Sequence, residues 1–318
     1  MLTLPAKATV VEVGPRDGLQ SFPRPVDTQT KIRMIDRLSE AGFPVIEVTG
    51  FAHPRVIPNL ADAEAVFAGI RRRPGIVYRG LVPNARGAER ARKAGVDEML
   101  GLVTVSERYL AKNQNMDMDT AVAQNVESFR IAEAAGIAFT MALGMALWCP
   151  YEGLIPVERS LALLGRFHDA GIRRFYFAGS VGMEDPAHVN RLFAAAQARY
   201  PDAELGWHVH NVAGFGAANV VAALDGGATR IEGSICGVGG GIAMPGAMGT
   251  VGNLPTEDVV HLLNEMGVAT GVATEAAIAA SRDVAALLGI EARSHVAHGG
   301  TRDDILARGR HSAAAHPA

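Results

Sequence analysis

Short apolar segments alternate with longer amphipathic segments along most of the chain, and this alternation limits the fold more than any other feature. Strands joined by helices form parallel sheets, because a parallel connection needs a crossover of about a dozen residues or more. The predicted strands are Thr9–Val13, Val45–Thr49, Ile76–Val82, Glu98–Val103, Ala138–Gly144, Arg174–Ala178, Glu204–His210 and Arg230–Ile235. The predicted helices between them are Thr28–Ala41, Leu60–Arg72, Ala85–Ala94, Met118–Ala135, Pro156–Ala170, Pro186–Tyr200 and Ala213–Asp225. Eight strand–helix units predict an α/β fold of the (β/α)8 TIM barrel type.

Several predicted helices end in the same way, with a glycine pair or an Ala-Gly pair directly before the next strand. The pairs are Ala41-Gly42, Ala94-Gly95, Ala135-Gly136, Ala170-Gly171 and Gly226-Gly227. Glycine suits the left-handed position that ends many helices. A doubly wound open sheet is the alternative fold. Its Gly-x-Gly-x-x-Gly turn is absent after the first strand, where the chain reads Gly14-Pro15-Arg16-Asp17-Gly18.

Length and composition fit one large folded domain. The chain has 318 residues, of which 48% are hydrophobic, enough for a substantial core. Two further helices, Thr256–Met266 and Thr274–Leu288, follow the eighth unit, so we expect a single catalytic domain over residues 1–298. Residues 299–318 are rich in Arg, Ala and His and predict a flexible tail. The histidines predicted to lie on the surface or in this tail, and not to bind metal, are His295, His298, His311 and His316.

The charge of the chain argues against some classes of partner, and its cysteine content argues against a secreted protein. The net charge of −3 provides no electrostatic attraction to nucleic acid or to a membrane surface. No run of about 18 apolar residues predicts a membrane span, and residues 1–9 lack the apolar segment of a signal peptide. The chain has two cysteines, Cys149 and Cys236, too few for a secreted disulfide framework. We therefore expect a cytoplasmic protein.

Four side chains near predicted strand ends can build a metal site. Asp17 follows the first strand, His208 and His210 end the seventh, and Asn253 lies in the loop after the eighth. In a (β/α)8 barrel the carboxyl ends of the strands meet at one face, where active sites lie. The two histidines project from the same face of their strand, although such a pair also occurs in core or hydrogen-bonding roles. The mixed nitrogen and oxygen donors fit Mg²⁺, Mn²⁺ or Zn²⁺ and do not choose among them; our expectation is Mg²⁺ or Mn²⁺.

Arg16 and Glu47 place charges next to this predicted site and are candidate catalytic residues. Arg16 adjoins Asp17 and can stabilise a developing enolate oxygen; a surface ion pair is the alternative role. Glu47 lies on the otherwise apolar second strand, where an unpaired carboxylate would be costly. We expect it to hydrogen-bond Arg16 or another group behind the site, with a structural role in the barrel interior as the alternative. The glycine-rich segment 237–252 leads to Asn253 and predicts a lid over the site, or else a flexible connection.

In these residues the chain resembles the hydroxymethylglutaryl-CoA lyases, a family of metal-dependent (β/α)8 enzymes with an Asp-Arg-Glu set. Asp17, Arg16 and Glu47 match that set. The similarity extends from about Val10 to Gly271 and includes residues 11–20, residues 149–153, His208-x-His210 and residues 252–258.

The resemblance implies cleavage of a tertiary 3-hydroxy acyl-CoA, in which the hydroxyl loses its proton, a carbon–carbon bond breaks and acetyl-CoA leaves as an enolate. Asp17, His208, His210 and Asn253 would bind the metal. Arg16 would stabilise the enolate, and His208 would also relay a proton. An acyl-CoA substrate and a homo-oligomer, specifically a dimer, are implied in the same way.

Several positions depart from the family pattern. The family lyases carry a catalytic Cys in the glycine-rich loop, where this chain has Gly241, or Met244-Pro245 if the extra residues are placed earlier. Cys236 precedes that loop and is interpreted as a small buried residue, not as a replacement thiol. The other departures are Asn211 for the acidic residue after the second histidine, Gly179-Ser180-Val181 for Gly-Asp-Thr, and Ser21-Phe22 for Asn-Glu.

These departures predict a carbon–carbon lyase that keeps the metal and the arginine but acts on an altered substrate, such as one with a more apolar substituent. Two other functions stay open. One is a Claisen-type synthase or 2-keto-acid aldolase on the same metal site. The other is a non-catalytic relative that binds metal or acyl-CoA.

Overall fold

The computed structural model describes residues 2–239 and 252–315 of the chain, and within them parallel strands close into a barrel. The strands are β1 Thr9–Glu12, β2 Val45–Gly50, β3 Val77–Leu81, β4 Glu98–Thr104, β5 Ala138–Gly144, β6 Arg174–Gly179, β7 Glu204–Val209 and β8 Arg230–Gly233. They follow one another around the barrel in chain order, and β8 pairs with β1 to close it. The predicted (β/α)8 barrel is confirmed, and each predicted strand is present with its bounds moved by at most two residues.

Helices connect the strands and cover the outside of the barrel. They are α1 Thr28–Glu40, α2 Ala63–Gly69, α3 Ala85–Ala94, α4 Glu107–Gln114, α5 Met118–Ala134, α6 Val157–Asp169, α7 Pro186–Arg199, α8 Gly216–Asp225, α9 Thr256–Glu265, α10 Thr274–Leu288, α11 His295–Gly299 and α12 Arg302–Ala315. The glycines predicted to end helices do so with positive φ, for example Gly95 at 77° and Gly136 at 67°.

Helices α2 and α4 are among those that differ from the sequence prediction. The helix predicted over Leu60–Arg72 is α2 with a short 3₁₀ turn, Pro58–Leu60, before it. It ends early because the N–H of Arg71 donates to the Asp36 carboxylate at 2.7 Å, so this N–H is taken out of the helical pattern. The short helix α4 was not predicted, although Ser106 begins it as an ordinary N-cap that accepts the N–H of Tyr109 at 3.1 Å.

The barrel interior is apolar at its centre and charged towards its amino-terminal end. The central apolar residues include Val11, Val45, Leu81, Leu100, Ala142 and Tyr176. The Tyr176 ring lies against Gly206, where an added Cβ would come within 2.4 Å of it. Below this layer Arg230 donates to Tyr176 at 2.8 Å and to Glu204 at 3.3 Å. The amino-terminal end is thus closed by side chains, and the carboxyl-terminal end carries the candidate site.

The carboxyl-terminal helices α9 to α12 follow the barrel. Helix α12 was not predicted, and it falls in the segment for which the sequence predicts a flexible tail. Its apolar residues Ile305 and Leu306 are exposed. The mobility of this segment stays a prediction, and His316 lies outside the described residues. Within residues 2–239 and 252–315, no helix has both the length and the apolar character of a membrane span.

Candidate active site

The turn after β1 holds two of the predicted site residues in a rigid backbone. Residues Gly14–Gly18 form a π-helical turn, in which the N–H groups of Arg16 and Asp17 donate to the Val13 carbonyl at 3.1 and 2.8 Å. The side chains of Arg16 and Asp17 are buried, with residue exposures of 6% and 5%. The tight turn therefore places a cation and an anion side by side at the mouth of the barrel.

Glu12 fastens this turn to the far side of the site. Its Oε1 atom accepts the N–H of Gly14 at 2.7 Å and the N–H of Ile235, just beyond β8, at 2.9 Å. Burial raises the pKa of Glu12 to about 8, against the opposing effect of these hydrogen bonds and one from Thr256. One side chain thus ties the Arg16–Asp17 turn to the segment that leads into the glycine-rich loop.

Asn253 reaches the site because its backbone lies beside the end of β7. The N–H of Leu254 donates to the Val209 carbonyl at 3.1 Å, and the N–H of Asn211 donates to the Gly252 carbonyl at 3.2 Å. His210 and Asn253 form an antiparallel bridge between these two segments. This pairing explains how a residue in a long loop comes next to the histidines.

The four predicted metal-binding residues meet at one point. The donor atoms of Asp17, His208 and His210 lie within 4.8 Å of one another. The two histidine Nε2 atoms are 3.1 Å apart, and His210 Nε2 lies 3.8 Å from Asp17 Oδ2. Asn253 donates through Nδ2 to Asp17 Oδ2 at 2.7 Å. Its Oδ1 is buried and has no hydrogen-bond partner within the described part of the chain.

This cluster fits a divalent cation. Two imidazole nitrogens that face each other beside an ionised carboxylate and an unsatisfied amide oxygen supply the mixed donors that such an ion takes. Burial alone would raise the pKa of Asp17, but Arg16 and the two histidines lower it to about 2, so the carboxylate is ionised at neutral pH. The buried Asp-His-His group can therefore bind a metal, and its donors do not identify which one.

Arg16 lies between two carboxylates. Its Nη1 atom donates to Asp17 Oδ1 at 2.7 Å, and its Nε atom donates to Glu47. Glu47 is fully buried, and the hydrogen bond expected between it and Arg16 is present. Burial works to lower the pKa of the guanidinium, but the charges of Glu47 and Asp17 raise it overall, and Arg16 is a permanent cation.

Sequence reasoning missed two residues behind the site, Glu232 on β8 and Arg79 on β3. Glu232 Oε2 lies 2.9 Å from His208 Nδ1, and Arg79 Nη2 donates to both Glu47 and Glu232. Each is a charged residue that is buried in a barrel strand, so the desolvation argument that singled out Glu47 would have found them too.

The contact between Glu232 and His208 sets the orientation of the imidazole. With Nδ1–H donated to a carboxylate, Nε2 is left to face the cluster, as in many metal-binding histidines. Burial works to lower the pKa of His208, but its hydrogen bond to Glu232 and the charges of Glu232 and Asp17 raise it overall.

A cavity of about 720 Å³ opens next to the Gly14–Gly18 turn. Its walls include Ser21, Phe22, Val238, Arg293, His295 and His298. The last two are histidines that the sequence analysis placed at the surface, and they lie outside the Asp-His-His cluster. The cavity is thus lined by apolar side chains, by basic side chains and by the acidic Glu291.

The positions that depart from the family pattern mostly have structural contacts. Asn211 Oδ1 accepts the N–H of Gly216 at 2.8 Å and so fixes the start of α8. Ser180 Oγ accepts the N–H of Met145 at 3.0 Å. Cys236 is buried with Sγ 3.2 Å from the Ser281 carbonyl, and burial raises the pKa of its thiol to about 12. Gly241 and Met244-Pro245, and with them residues 240–251 of the predicted lid, lie outside the described residues.

Comparison with known proteins gives a consistent result. A family model described as HMGL-like matches residues 7–284. The mitochondrial hydroxymethylglutaryl-CoA lyase of Mus musculus is 38% identical over 272 residues, which cover 86% of this chain and 83% of that protein. The crystal structure of HMG-CoA lyase from Bacillus subtilis superposes with a TM-score of 0.89 at 34% identity, covering 94% of this chain and 99% of that one.

A second solved structure is an HMG-CoA lyase from Acinetobacter baumannii in complex with coenzyme A and 3-methylmalate. It has a TM-score of 0.88 at 35% identity and covers 96% of this chain and 98% of that one.

Proposed function

The chain belongs to the HMGL-like family and is a carbon–carbon lyase of the hydroxymethylglutaryl-CoA lyase type, and on this premise we propose that it cleaves a 3-hydroxy-3-substituted acyl-CoA. The products would be acetyl-CoA and a keto acid or ketone. The observation that carries the proposal is the meeting of Asp17, His208, His210 and Asn253 in one buried cluster with Arg16 attached to it.

We assign Asp17, His208, His210 and Asn253 as the residues that hold a divalent metal, with Mg²⁺ or Mn²⁺ preferred over Zn²⁺. Held by these residues, such an ion would supply Lewis-acid chemistry that lowers the pKa of the substrate hydroxyl. The unsatisfied Oδ1 of Asn253 supports this assignment, because a buried acceptor without a partner is costly unless something binds it.

The reaction needs one proton to leave an oxygen and another to reach a carbon. The 3-hydroxyl loses its proton, the C2–C3 bond breaks, and its electron pair moves into the thioester to give the acetyl-CoA enolate. Arg16 stabilises the charge on the thioester oxygen, and C2 then takes up a proton. C3 becomes the carbonyl of the second product.

Two of the assigned residues act by holding others in place. Glu47 keeps the Arg16 guanidinium in position through Nε, while Asp17 binds its Nη1. The proton relay proposed for His208 would take place at Nε2, the atom that faces the cluster, while Nδ1 stays hydrogen-bonded to Glu232.

The cavity beside the turn is our candidate for the coenzyme A moiety. The related Acinetobacter baumannii enzyme was solved with coenzyme A, and the cavity offers Arg293 and two histidines for phosphates with Phe22 for an apolar or aromatic group. Phe22 and Ser21 replace polar residues of the family pattern, which supports a substrate different from, and more apolar than, hydroxymethylglutaryl-CoA.

The test is a panel of 3-hydroxy-3-substituted acyl-CoA thioesters, including hydroxymethylglutaryl-CoA, incubated with Mg²⁺ or Mn²⁺ and analysed by mass spectrometry. We expect acetyl-CoA and an equimolar carbonyl product from at least one member. Consumption of acetyl-CoA together with a 2-keto acid would instead favour the synthase. Release of a 2-keto acid from a substrate that is not a thioester would favour the aldolase. Tight binding without turnover would favour the non-catalytic relative, and each of these outcomes would reject the lyase reaction on acyl-CoA.

The resemblance also implies a dimer, and the composition of the sequence predicts a cytoplasmic location. Both stay predictions. Sedimentation equilibrium tests the first, since a dimer would give twice the mass of the chain.

A further inference from the structure

Arg79 is a fully buried arginine in the interior of the barrel. It lies on β3, whose neighbours in the central layer are apolar side chains such as Leu81 and Tyr176. The guanidinium carbon lies 5.3 Å from the centre of the Tyr176 ring. A buried cation of this kind is costly unless carboxylates surround it, so its partners explain why it is tolerated.

Arg79 connects two strands that are not neighbours in the barrel. Its Nη2 atom donates to Glu47 on β2 and also to Glu232 on β8. The two carboxylates therefore lie against the same nitrogen atom. A third carboxylate, Glu98, is farther away, with its Oε1 atom 3.6 Å from Nη1.

Each of the two carboxylates that Arg79 binds has a second contact at the candidate active site. Glu47 accepts from Arg16 Nε, and Glu232 lies 2.9 Å from His208 Nδ1. Arg79 is thus the middle of a continuous chain of buried contacts between the residue assigned to the enolate and a residue assigned to the metal. The chain runs from Arg16 through Glu47, Arg79 and Glu232 to His208.

We propose that Arg79 is a positioning residue that holds Glu47 and Glu232 together, and through them fixes Arg16 and His208 in the geometry that metal binding and cleavage require. This inference rests on the proposed function of the site. Without the guanidinium, two carboxylates would face each other in the barrel interior with no shared cation. They would move apart or take up a proton, and either change would release Arg16 or the His208 ring.

A purely structural role for Arg79 makes a different prediction. If the residue only stabilised the barrel, its loss would lower the melting temperature but leave the folded enzyme with ordinary metal affinity and turnover. The two roles are therefore separated by measurements on folded protein.

The experiment compares Arg79→Met and Arg79→Lys with the unaltered enzyme. Mn²⁺ affinity is measured by calorimetry on metal-stripped protein, and kcat and KM are measured for the acyl-CoA substrate. For Arg79→Met we expect Mn²⁺ affinity and kcat to fall by about 10- to 100-fold each, with KM within about threefold because Arg79 does not line the coenzyme A cavity. The lysine keeps one charge and should recover part of the loss.

Arg230→Met is the matched control. Arg230 is also a buried barrel arginine, but its partners are Tyr176 and Glu204, with Glu98 Oε2 3.8 Å away, instead of Glu47 and Glu232. This variant should lose stability while its Mn²⁺ affinity and kcat change by less than about threefold. Equal effects of Arg79→Met and Arg230→Met on affinity would contradict the proposal.

A double variant covers the case in which Arg79→Met does not fold. In Arg79→Met/Glu232→Gln, the amide no longer repels Glu47 and its oxygen can still accept from His208. We expect this protein to fold and to bind Mn²⁺ more tightly than Arg79→Met, or, if that variant is unfolded, within about tenfold of the unaltered enzyme. Unchanged Mn²⁺ affinity in folded Arg79→Met would overturn the proposal. Absence of turnover by the unaltered enzyme would reject the function alone, because affinity is measured without substrate.

Discussion

At the scale of single residues, the contacts of Arg16 set the chemistry of the candidate site. Its two carboxylate partners fix both edges of the guanidinium, Glu47 at Nε and Asp17 at Nη1. A cation held in this way needs no rearrangement when negative charge develops on the substrate, and such preorganised charge is often the largest part of transition-state stabilisation. Asp17 also belongs to the Asp17–His208–His210 cluster, so the guanidinium and the proposed metal ligands share one carboxylate.

Replacing Arg16 by methionine should therefore reduce turnover more than it reduces binding. We expect kcat of Arg16→Met to fall by about 10²- to 10³-fold, with Mn²⁺ affinity within a few-fold of the unaltered enzyme because the four donors remain. Steady-state kinetics and calorimetry measure the two quantities. Arg166→Met, which removes an exposed partner of Asp119, is the control, and a kcat of Arg16→Met close to that of this control would contradict the assignment.

The variant Cys236→Ala tests whether the thiol before the glycine-rich loop takes part in proton transfer. Its Sγ atom lies against the Ser281 carbonyl, and burial raises the pKa of the thiol to about 12. Such a thiol is a poor proton donor or acceptor at neutral pH. We expect Cys236→Ala to keep kcat within about threefold. A loss of more than 100-fold in a variant with an unchanged melting temperature would show that this thiol does replace the loop cysteine of the family.

At the scale of elements, strands and turns bring the site together by rules that can be stated from sequence. Asp17, His208 and His210 could be predicted because apolar segments locate the strand ends and the barrel collects those ends. Asn253 could be placed in the loop after the eighth strand but not beside His210, since that position depends on backbone pairing between Leu254 and Val209.

Partners across the barrel are harder to predict than strand ends. Alternation along a strand gives the face on which Arg79 or Glu232 lies, but not the partner that each meets, and these two residues are 153 positions apart in the chain. The same limit explains the early end of α2, where the distant Asp36 takes the N–H of Arg71.

The turn between β6 and α7 contains a carboxyl whose burial affects stability. Glu184 is 1% exposed, and neither of its oxygens makes a hydrogen bond within the described residues. Burial raises its pKa to about 7, with the nearby N–H groups of residues 182–184 opposing the shift. Because the unfolded chain ionises this group at its ordinary pKa near 4.5, stability is lost as pH rises from that value to about 7 and then levels off.

Replacing Glu184 by glutamine should remove this loss. We expect the melting temperature of Glu184→Gln, relative to the unaltered protein, to be higher at pH 8 than at pH 5, because the amide carries no charge at either pH. Glu158→Gln, at an exposed position on α6, is the control. A difference in melting temperature that stays constant between the two pH values would contradict the role given to the buried carboxyl.

Across the whole molecule, the ion pairs that stabilise one end of the barrel and the residues proposed for chemistry lie at different ends. The ion pairs around Arg230 and Glu98 close the amino-terminal end, whereas the metal cluster and the cavity lie at the other end. The fold and the family follow from motifs spread over most of the chain. The substrate cannot be predicted from these motifs, because it depends on cavity walls such as Phe22 and Arg293 that come from distant segments.

Release of acetyl-CoA during a metal titration tests whether cleavage depends on a metal held by Asp17, His208, His210 and Asn253. Enzyme stripped with a chelator is mixed with a substrate found in the acyl-CoA panel, and Mg²⁺ or Mn²⁺ is added in steps. We expect no cleavage without metal, full activity at one ion per chain, and a single deuterium in the acetyl methyl group when the reaction is run in D₂O. Full cleavage by metal-free enzyme, or no cleavage of any panel member with one ion bound, would contradict this expectation.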